Sequence, residues 1–417
     1  MSRIPNLIRG DIRPVAIRGG AAGLALLSNL LIARHLDIAE IAYYFTFSTV
    51  AYFGNASLFV GASGYLQRFL ASRVPDGVAS RGFLLAYVFG VAMIGALLVG
   101  AGSTVYFVLW GRVPVASAVL ACAMLSVGAF LSTISKDLWA FRGRVDVAAG
   151  LSLLEAFLKC LMFVSVSSIS SRVVAVDMII LSALASMLAG IAGGGALLLL
   201  ASRKPAQVQL RISEMLGTVV PVGFGAVLNW LQLQLYRPLM LYLGVPAQYI
   251  AATSLMTTLG SSGASPALTV VAQRFIPSIY AREPRAVFSS LRRLLAVALL
   301  LAVLSVPMAY VFLLLSGRVA LAAYLPLVAV GVFTEAANGG IGAIGHGCNA
   351  TARSLWPLTM ATAVGVLVAL GMLLLPAAGE MTPYVMGCGL LLSQLVVVVV
   401  CLTVYRRGQQ ALVRESG

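Results

Sequence analysis

The chain has 417 residues, of which 60% are hydrophobic and only 10% charged, where an ordinary soluble domain carries about 25% charge. Stretches such as 82–110 and 381–405 hold no charged residue at all and exceed the roughly 20 residues that cross a bilayer as a helix, so a soluble multidomain protein is excluded. Lys and Arg number 28 against 13 Asp and Glu, a net charge of +15; the placement of that excess along the chain points to membrane topology and anionic lipid, and no nucleic-acid partner is expected.

Apolar segments fall at about 15–33, 41–66, 82–110, 114–135, 147–170, 174–201, 214–236, 239–270, 291–316, 319–345, 355–376 and 381–405, twelve in all. None alternates with the period of two that marks barrel strands, so each reads as a helix. An all-α polytopic membrane protein with twelve transmembrane helices is expected. The connections are short, and none has room for a soluble catalytic domain.

The first segment follows Arg3, Arg9 and Arg13 and contains Arg18 about a turn and a half inside. A basic opening before an apolar stretch resembles a secretory leader. Arg18 interrupts that stretch, however, and removing the segment would leave an odd number of spans, so a retained first helix is expected. Arg18 either snorkels to the inner surface or holds a phosphate. In the fifth segment Glu155 and Lys159 stand near mid-depth, where ionisable groups are costly and mark function. Four residues apart, they share a helical face. They pair with each other, or they face a cavity in which Lys159 meets an anionic ligand.

After Arg203, Lys204 and Arg211 the pattern of six segments starts again, which divides the chain into bundles at 1–205 and 206–417. Six is even, so both halves enter from the same side and are parallel about an axis along the membrane normal. Two parallel six-helix bundles around a central cavity follow. The seventh, eighth and tenth segments carry helix-weakening residues at depth: Pro221 and Gly223, the run from Gly260 to Pro266, and Gly339, Gly340, Gly342, Gly345 and Gly347. These serve close helix packing or bends that gate a path. Arg237, near the outer end of the seventh segment, has the same two readings as Arg18. Glu335 in the tenth has no local cation and is followed on the same face by Asn338, which makes them the candidates for proton or sodium coupling.

Orientation follows from the basic residues. With the N-terminus taken as cytoplasmic, 22 of the 28 Lys and Arg fall on the inner side and five outside, with Lys159 inside a span. A miscounted span would scramble that bias, so twelve spans with both termini in the cytoplasm are expected. Catalytic material is sparse. The only lysines are Lys136, Lys159 and Lys204, none in a Gly-rich phosphate loop. His35 and His346 are the only histidines, and His346 near Cys348 does not make a metal site. The five cysteines lack disulfide-like spacing and are expected reduced. No enzymatic activity, cofactor or metal is expected.

The stretch Leu26 to Leu36, with Ser28, Asn29, Ala33, Arg34 and His35, followed by Glu40, Tyr43, Tyr44, Gly61, Tyr65 and Arg68-Phe69, resembles the opening of the polysaccharide flippases. These are the Wzx-like carriers of O-antigen and exopolysaccharide repeat units, within the multidrug/oligosaccharidyl-lipid/polysaccharide exporter superfamily. The stretch Arg237 to Tyr249, with Leu243-Gly244, resembles the matching element of the second half. The resemblance implies a flippase of the bacterial inner membrane that carries an undecaprenyl-pyrophosphate-linked oligosaccharide from the cytoplasmic to the periplasmic leaflet by alternating access. It implies a polysaccharide polymerase and a chain-length regulator as partners beside the lipid-linked oligosaccharide and membrane lipids. A cationic, wet cavity would hold the head group, with Lys159, Arg18 and Arg237 as its cations and Glu155 beside them. The chain departs from the family at Asp37, where glycine is usual, and at Tyr236, where an acid often stands beside the arginine. A multidrug antiporter of the same superfamily is the competing reading; it needs unpaired acids in the cavity, and span interiors offer Glu155 and Glu335. The Gly-x-x-x-Asp-Arg signature of major-facilitator transporters is missing from the loop Arg68 to Gly77. The large periplasmic loops of a polymerase or ligase are missing too.

Overall fold

The computed structural model describes residues 4–416 apart from 64, 67–79, 111–113, 143, 171–172, 201–211, 282, 284, 351–355 and 376–378. Arg68, Phe69 and the 205/206 division lie outside the described residues. What is described is helical: twelve helices of 17 residues or more, and a short one of 7. Eight are long and apolar enough to cross a membrane, among them Arg81–Trp110, Ala286–Ser316 and Gly379–Arg407. Their outward faces are apolar, with Phe89, Leu97, Val303 and Met308 all more than 60% exposed. In water such a surface would aggregate; against acyl chains it costs nothing.

The chain forms two compact units, Met1–Trp230 and Leu231–Gly417. The first holds α1 (Ile4–His35), α2 (Ile38–Gly54, continued by a π turn Asn55–Phe59), α3 (Arg81–Trp110), α4 (Val115–Phe141), α5 (Val145–Ile169), α6 (Ala175–Leu200) and α7 (Ile212–Gln234) as far as Trp230. Its core centres on Phe59, stacked on Phe130 at 4.3 Å between ring centroids, with Leu66, Ile134 and Trp139 around them. The most extensive contact among the described helices is α4 on α6. A Cβ at Gly190 would lie 2.7 Å from the Leu131 backbone, and one at Gly128 only 2.6 Å from the Ala183 carbonyl, so these glycines set the approach of the two helices. α7 approaches the π turn and the residues after it in the same way, through Gly223 against Ser57 and Gly61 against Val219. Trp230 Nε1 donates to the Thr49 carbonyl at 3.1 Å.

The second unit holds α8 (Tyr236–Tyr242), α9 (Ala247–Tyr280), α10 (Ala286–Ser316), α11 (Pro326–Ala350), α12 (Trp356–Leu373) and α13 (Thr382–Ser416). α8 ends on Gly244, whose φ of 80° lets the next amide, Val245 N, reach back to the Met240 carbonyl at 3.0 Å; only glycine takes that backbone without strain. The pairings within the units repeat. α2·α3, α3·α4, α2·α4, α2·α6, α4·α6 and α5·α6 have their counterparts in α9·α10, α10·α11, α9·α11, α9·α13, α11·α13 and α12·α13.

The small-residue runs had two readings, close packing and bending; α7, α9 and α11 are continuous helices through Pro221, Pro266 and the glycines of 339–347. A Cβ at Gly260 would lie 2.0 Å from the Val328 carbonyl, and one at Gly331 2.1 Å from that of Thr257, so the role observed is close packing. The irregularity that does occur is the π turn in the second span. Two expected boundaries need correction: the span expected at 239–270 begins only at Ala247, because the chain turns at Gly244 first, and the one expected at 319–345 opens with a short 3-10 turn, Val319–Tyr324, before the helix α11.

Candidate functional site

Polar groups at depth gather in the first unit where α2, α4, α5 and α6 meet. α5 is apolar on most sides and brings Glu155 about 15 Å along its axis from Val145, near its middle. Ser132 Oγ of α4 donates to Glu155 Oε2 at 2.7 Å and Ser186 Oγ of α6 donates to Oε1 at 2.5 Å. The Lys136 ammonium of α4 forms an ion pair with Oε2, both side chains being 24% exposed. The carboxylate thus has three donors from two neighbouring helices, the condition under which a charge is tolerated at depth.

One turn further along α5, Lys159 Nζ donates to the Tyr44 hydroxyl of α2 at 2.9 Å and lies 5.4 Å from the centroid of the Phe163 ring, a cation–π distance. Ser48 and Ser182 lie beside the same phenol. Tyr52 stands within electrostatic reach of Lys159, Glu155 and Tyr44, yet is 44% exposed. On the α4 flank of the cluster, Ser63 Oγ donates to Asp137 Oδ2 at 2.6 Å.

The intrahelical pair between Glu155 and Lys159 is not what forms. Glu155 takes Lys136, and Lys159 takes a phenol and a ring. Lys136 had counted as a loop cation because the apolar run ends at Ser135. The helix continues to Phe141, and the glycine-mediated approach of α4 to α6 carries Lys136 to the carboxylate. Lys136, Tyr44, Ser132 and Ser186 therefore join the candidate site, and span counting missed them. Apart from Tyr44, which stood only among the family-like residues, nothing local in the sequence signals them. Among the described residues Lys159 is in no ion pair.

The remaining candidates lie elsewhere. Gly20 of α1 faces Leu153 and Leu24 receives the Cys160 thiol, so α1 and α5 run parallel and partly buried Arg18 lies nearer the start of α5 than Glu155 does. In the second unit Arg237 Nε donates to the Tyr236 hydroxyl at 3.0 Å and Ser254 Oγ at 3.1 Å, and its Nη1 donates to Gln234 Oε1 at 2.5 Å. Tyr236, which stands where the resemblance led one to look for an acid, is a buried phenol that orients the guanidinium. Glu335, partly buried on α11, lies beside Ser265, from the small-residue run of α9. Asn338, three residues on, is exposed. All five cysteines are free, and no cluster of metal-binding groups occurs among the described residues.

No protein-family model and no curated protein matches the sequence. Solved structures match over nearly the whole chain. The lipid II flippase MurJ, in an inward closed conformation, matches with a TM-score of 0.66 at 14% identity, covering 93% of this chain and 86% of that one. An outward-facing multidrug resistance MATE family transporter of the MOP superfamily matches with a TM-score of 0.63 at 14% identity, over 96% and 94%. A MOP superfamily transporter from Pyrococcus furiosus Vc1, whose reported reverse polarity of the binding pocket suggests a different function, matches with a TM-score of 0.58 at 15% identity, over 96% and 95%. The chain has the fold these transporters share, that of a multi-pass membrane protein.

Proposed function

We propose that the chain is a flippase that moves undecaprenyl-pyrophosphate-linked oligosaccharide repeat units from the cytoplasmic to the periplasmic leaflet of a bacterial inner membrane, by alternating access, in the synthesis of a surface polysaccharide. Both termini are then cytoplasmic, and residues 1–205 and 206–417 are the two bundles that alternate. A polysaccharide polymerase and a chain-length regulator act downstream of it. The observation that carries this reading is Lys159: an ammonium near the middle of α5, held by a phenol and a ring while the neighbouring carboxylate is neutralised by Lys136. A positive site at depth favours an anionic ligand over a cationic one, and the hydroxyls of Tyr44, Ser48, Ser182 and Tyr52 around it suit phosphate and sugar oxygens. The match to a lipid II flippase supports a lipid-linked substrate.

A second reading, a cation antiporter, has one observation in its favour: Glu335, a partly buried acid on α11 that is in no ion pair among the described residues. In the flippase reading Glu335 and Asn338 couple transport to protons or sodium. The two readings part on one experiment. Deleting the gene and complementing with Lys159→Ala should leave lipid-linked repeat units on the inner leaflet and no surface polysaccharide, with dye efflux unchanged. Normal polysaccharide together with loss of ethidium efflux in Glu335→Gln would establish the antiporter instead.

A further inference from the structure

Three ionised groups lie within two turns of one another in the first unit, and their pairing is not the one their spacing favours. A glutamate followed four residues later by a lysine on one helix is the stabilising order of an intrahelical ion pair, and Glu155 and Lys159 stand in that relation in α5. Glu155 is nevertheless committed to Lys136, which reaches it from α4. Ser132 and Ser186 fill its remaining lone pairs. Lys159, released from its helical neighbour, is turned to Tyr44 and Phe163.

We infer that Lys136 is a positioning residue: by neutralising Glu155 from the neighbouring helix it keeps that carboxylate off Lys159, and so leaves Lys159 as the cation that receives an anionic head group. The inference rests on the flippase reading for the identity of the ligand but not for the exchange of partners. With Lys136 present Glu155 is neutralised from α4, and the charge of Lys159 is left without a carboxylate partner. Without it, Glu155 is a carboxylate at depth whose nearest cation is Lys159, and the two cancel. Removing the carboxylate as well leaves Lys159 again without a carboxylate partner. A residue needed only for packing would not be rescued by that second change, because the second change adds no contact.

The sequence has three lysines, Lys136, Lys159 and Lys204, so the reactivity of Lys159 can be followed without ligand. In nanodiscs, acylation of Lys159 by acetic anhydride is measured by mass spectrometry with Lys204 as internal reference. Lys136→Met should slow acylation of Lys159 at least threefold, because an amine paired with a carboxylate is protonated more of the time. Lys136→Met combined with Glu155→Gln should return the rate to within twofold of the parent, as should Lys136→Arg alone. An unchanged rate in Lys136→Met, or no recovery in the double variant, overturns the inference. Binding of undecaprenyl pyrophosphate to the same preparations should fall at least tenfold in Lys136→Met and recover in the double variant. Undecaprenol and inorganic pyrophosphate serve as the neutral-lipid and free-anion arms. Equal binding of undecaprenol by the parent protein overturns the flippase reading while the acylation result stands by itself, and binding of inorganic pyrophosphate as tight as that of the lipid assigns the site to a free anion.

Discussion

Replacing Gly331 with Ala should destabilise the second unit by an amount the geometry sets. The added Cβ would sit 2.1 Å from the Thr257 carbonyl oxygen, where ordinary contact begins near 3.4 Å, so α9 and α11 must part by about 1.3 Å at the tightest point of their seam. A gap of 0.5–1 Å already forfeits a quarter to a half of the dispersion well for each atom pair across it. Those losses extend along the neighbouring turns, because Gly260 meets the Val328 carbonyl just as closely. Overpacking of this kind costs about 1–3 kcal/mol, and the seam has no hydrophobic driving force in lipid to offset the loss. The same helix supplies its own control. A Cβ at Gly342 meets nothing within 4 Å, so Gly342→Ala adds only helix propensity, up to about 1 kcal/mol in the stabilising direction. Thermal unfolding in detergent, followed by the monodisperse fraction on size exclusion, should show Gly331→Ala lower by several degrees and Gly342→Ala level with the parent or above it. Equal midpoints for the two variants would refute the close approach of α9 and α11.

Tyr236→Phe removes a phenol that accepts from Arg237 Nε and meets Ser254 at 3.2 Å; a loss of about 1–3 kcal/mol in unfolding stability is expected, and a midpoint unmoved by the change would show that the guanidinium does not depend on that oxygen. Trp230→Phe deletes the donor to the Thr49 carbonyl while keeping the ring beside Phe53, and should cost about 0.5–1.5 kcal/mol, measured by the same unfolding. Of the five cysteines Cys388 alone is exposed, so a membrane-soluble maleimide should modify that residue in the folded protein and the other four only after denaturation; early modification of Cys122 or Cys401, both 0% exposed, would contradict their packing.

The spans were legible because lipid demands long apolar runs, and those runs have few alternative readings. What blurred was where each helix stops. Hydropathy ends the fourth span at Ser135, yet a helix ends only where its backbone loses partners, and α4 runs on to Phe141. That six-residue difference hid Lys136. Glu155 and Lys159 stood out as charges at depth, but their partners did not. Spacing along one helix shows an i,i+4 neighbour, while the approach of α4 to α6 through Gly128 and Gly190 depends on which faces meet, and composition does not encode that locally. The glycine runs illustrate the same limit. Gly260 and Gly331 touch backbone across a seam whereas Gly263 and Gly342 face open space, although all four look alike in the sequence. The π turn at Asn55–Phe59 had no advance sign beyond the small residues around it.

Transfer of a fluorescent undecaprenyl-pyrophosphate oligosaccharide across proteoliposome membranes, read by dithionite quenching, bears most directly on Lys159 as the receptor of an anionic head group. The account predicts transport by the parent chain, at least a tenfold slower rate in Lys159→Ala at equal reconstitution, and substantial recovery in Lys159→Arg. Equal rates for the parent chain and Lys159→Ala would contradict it.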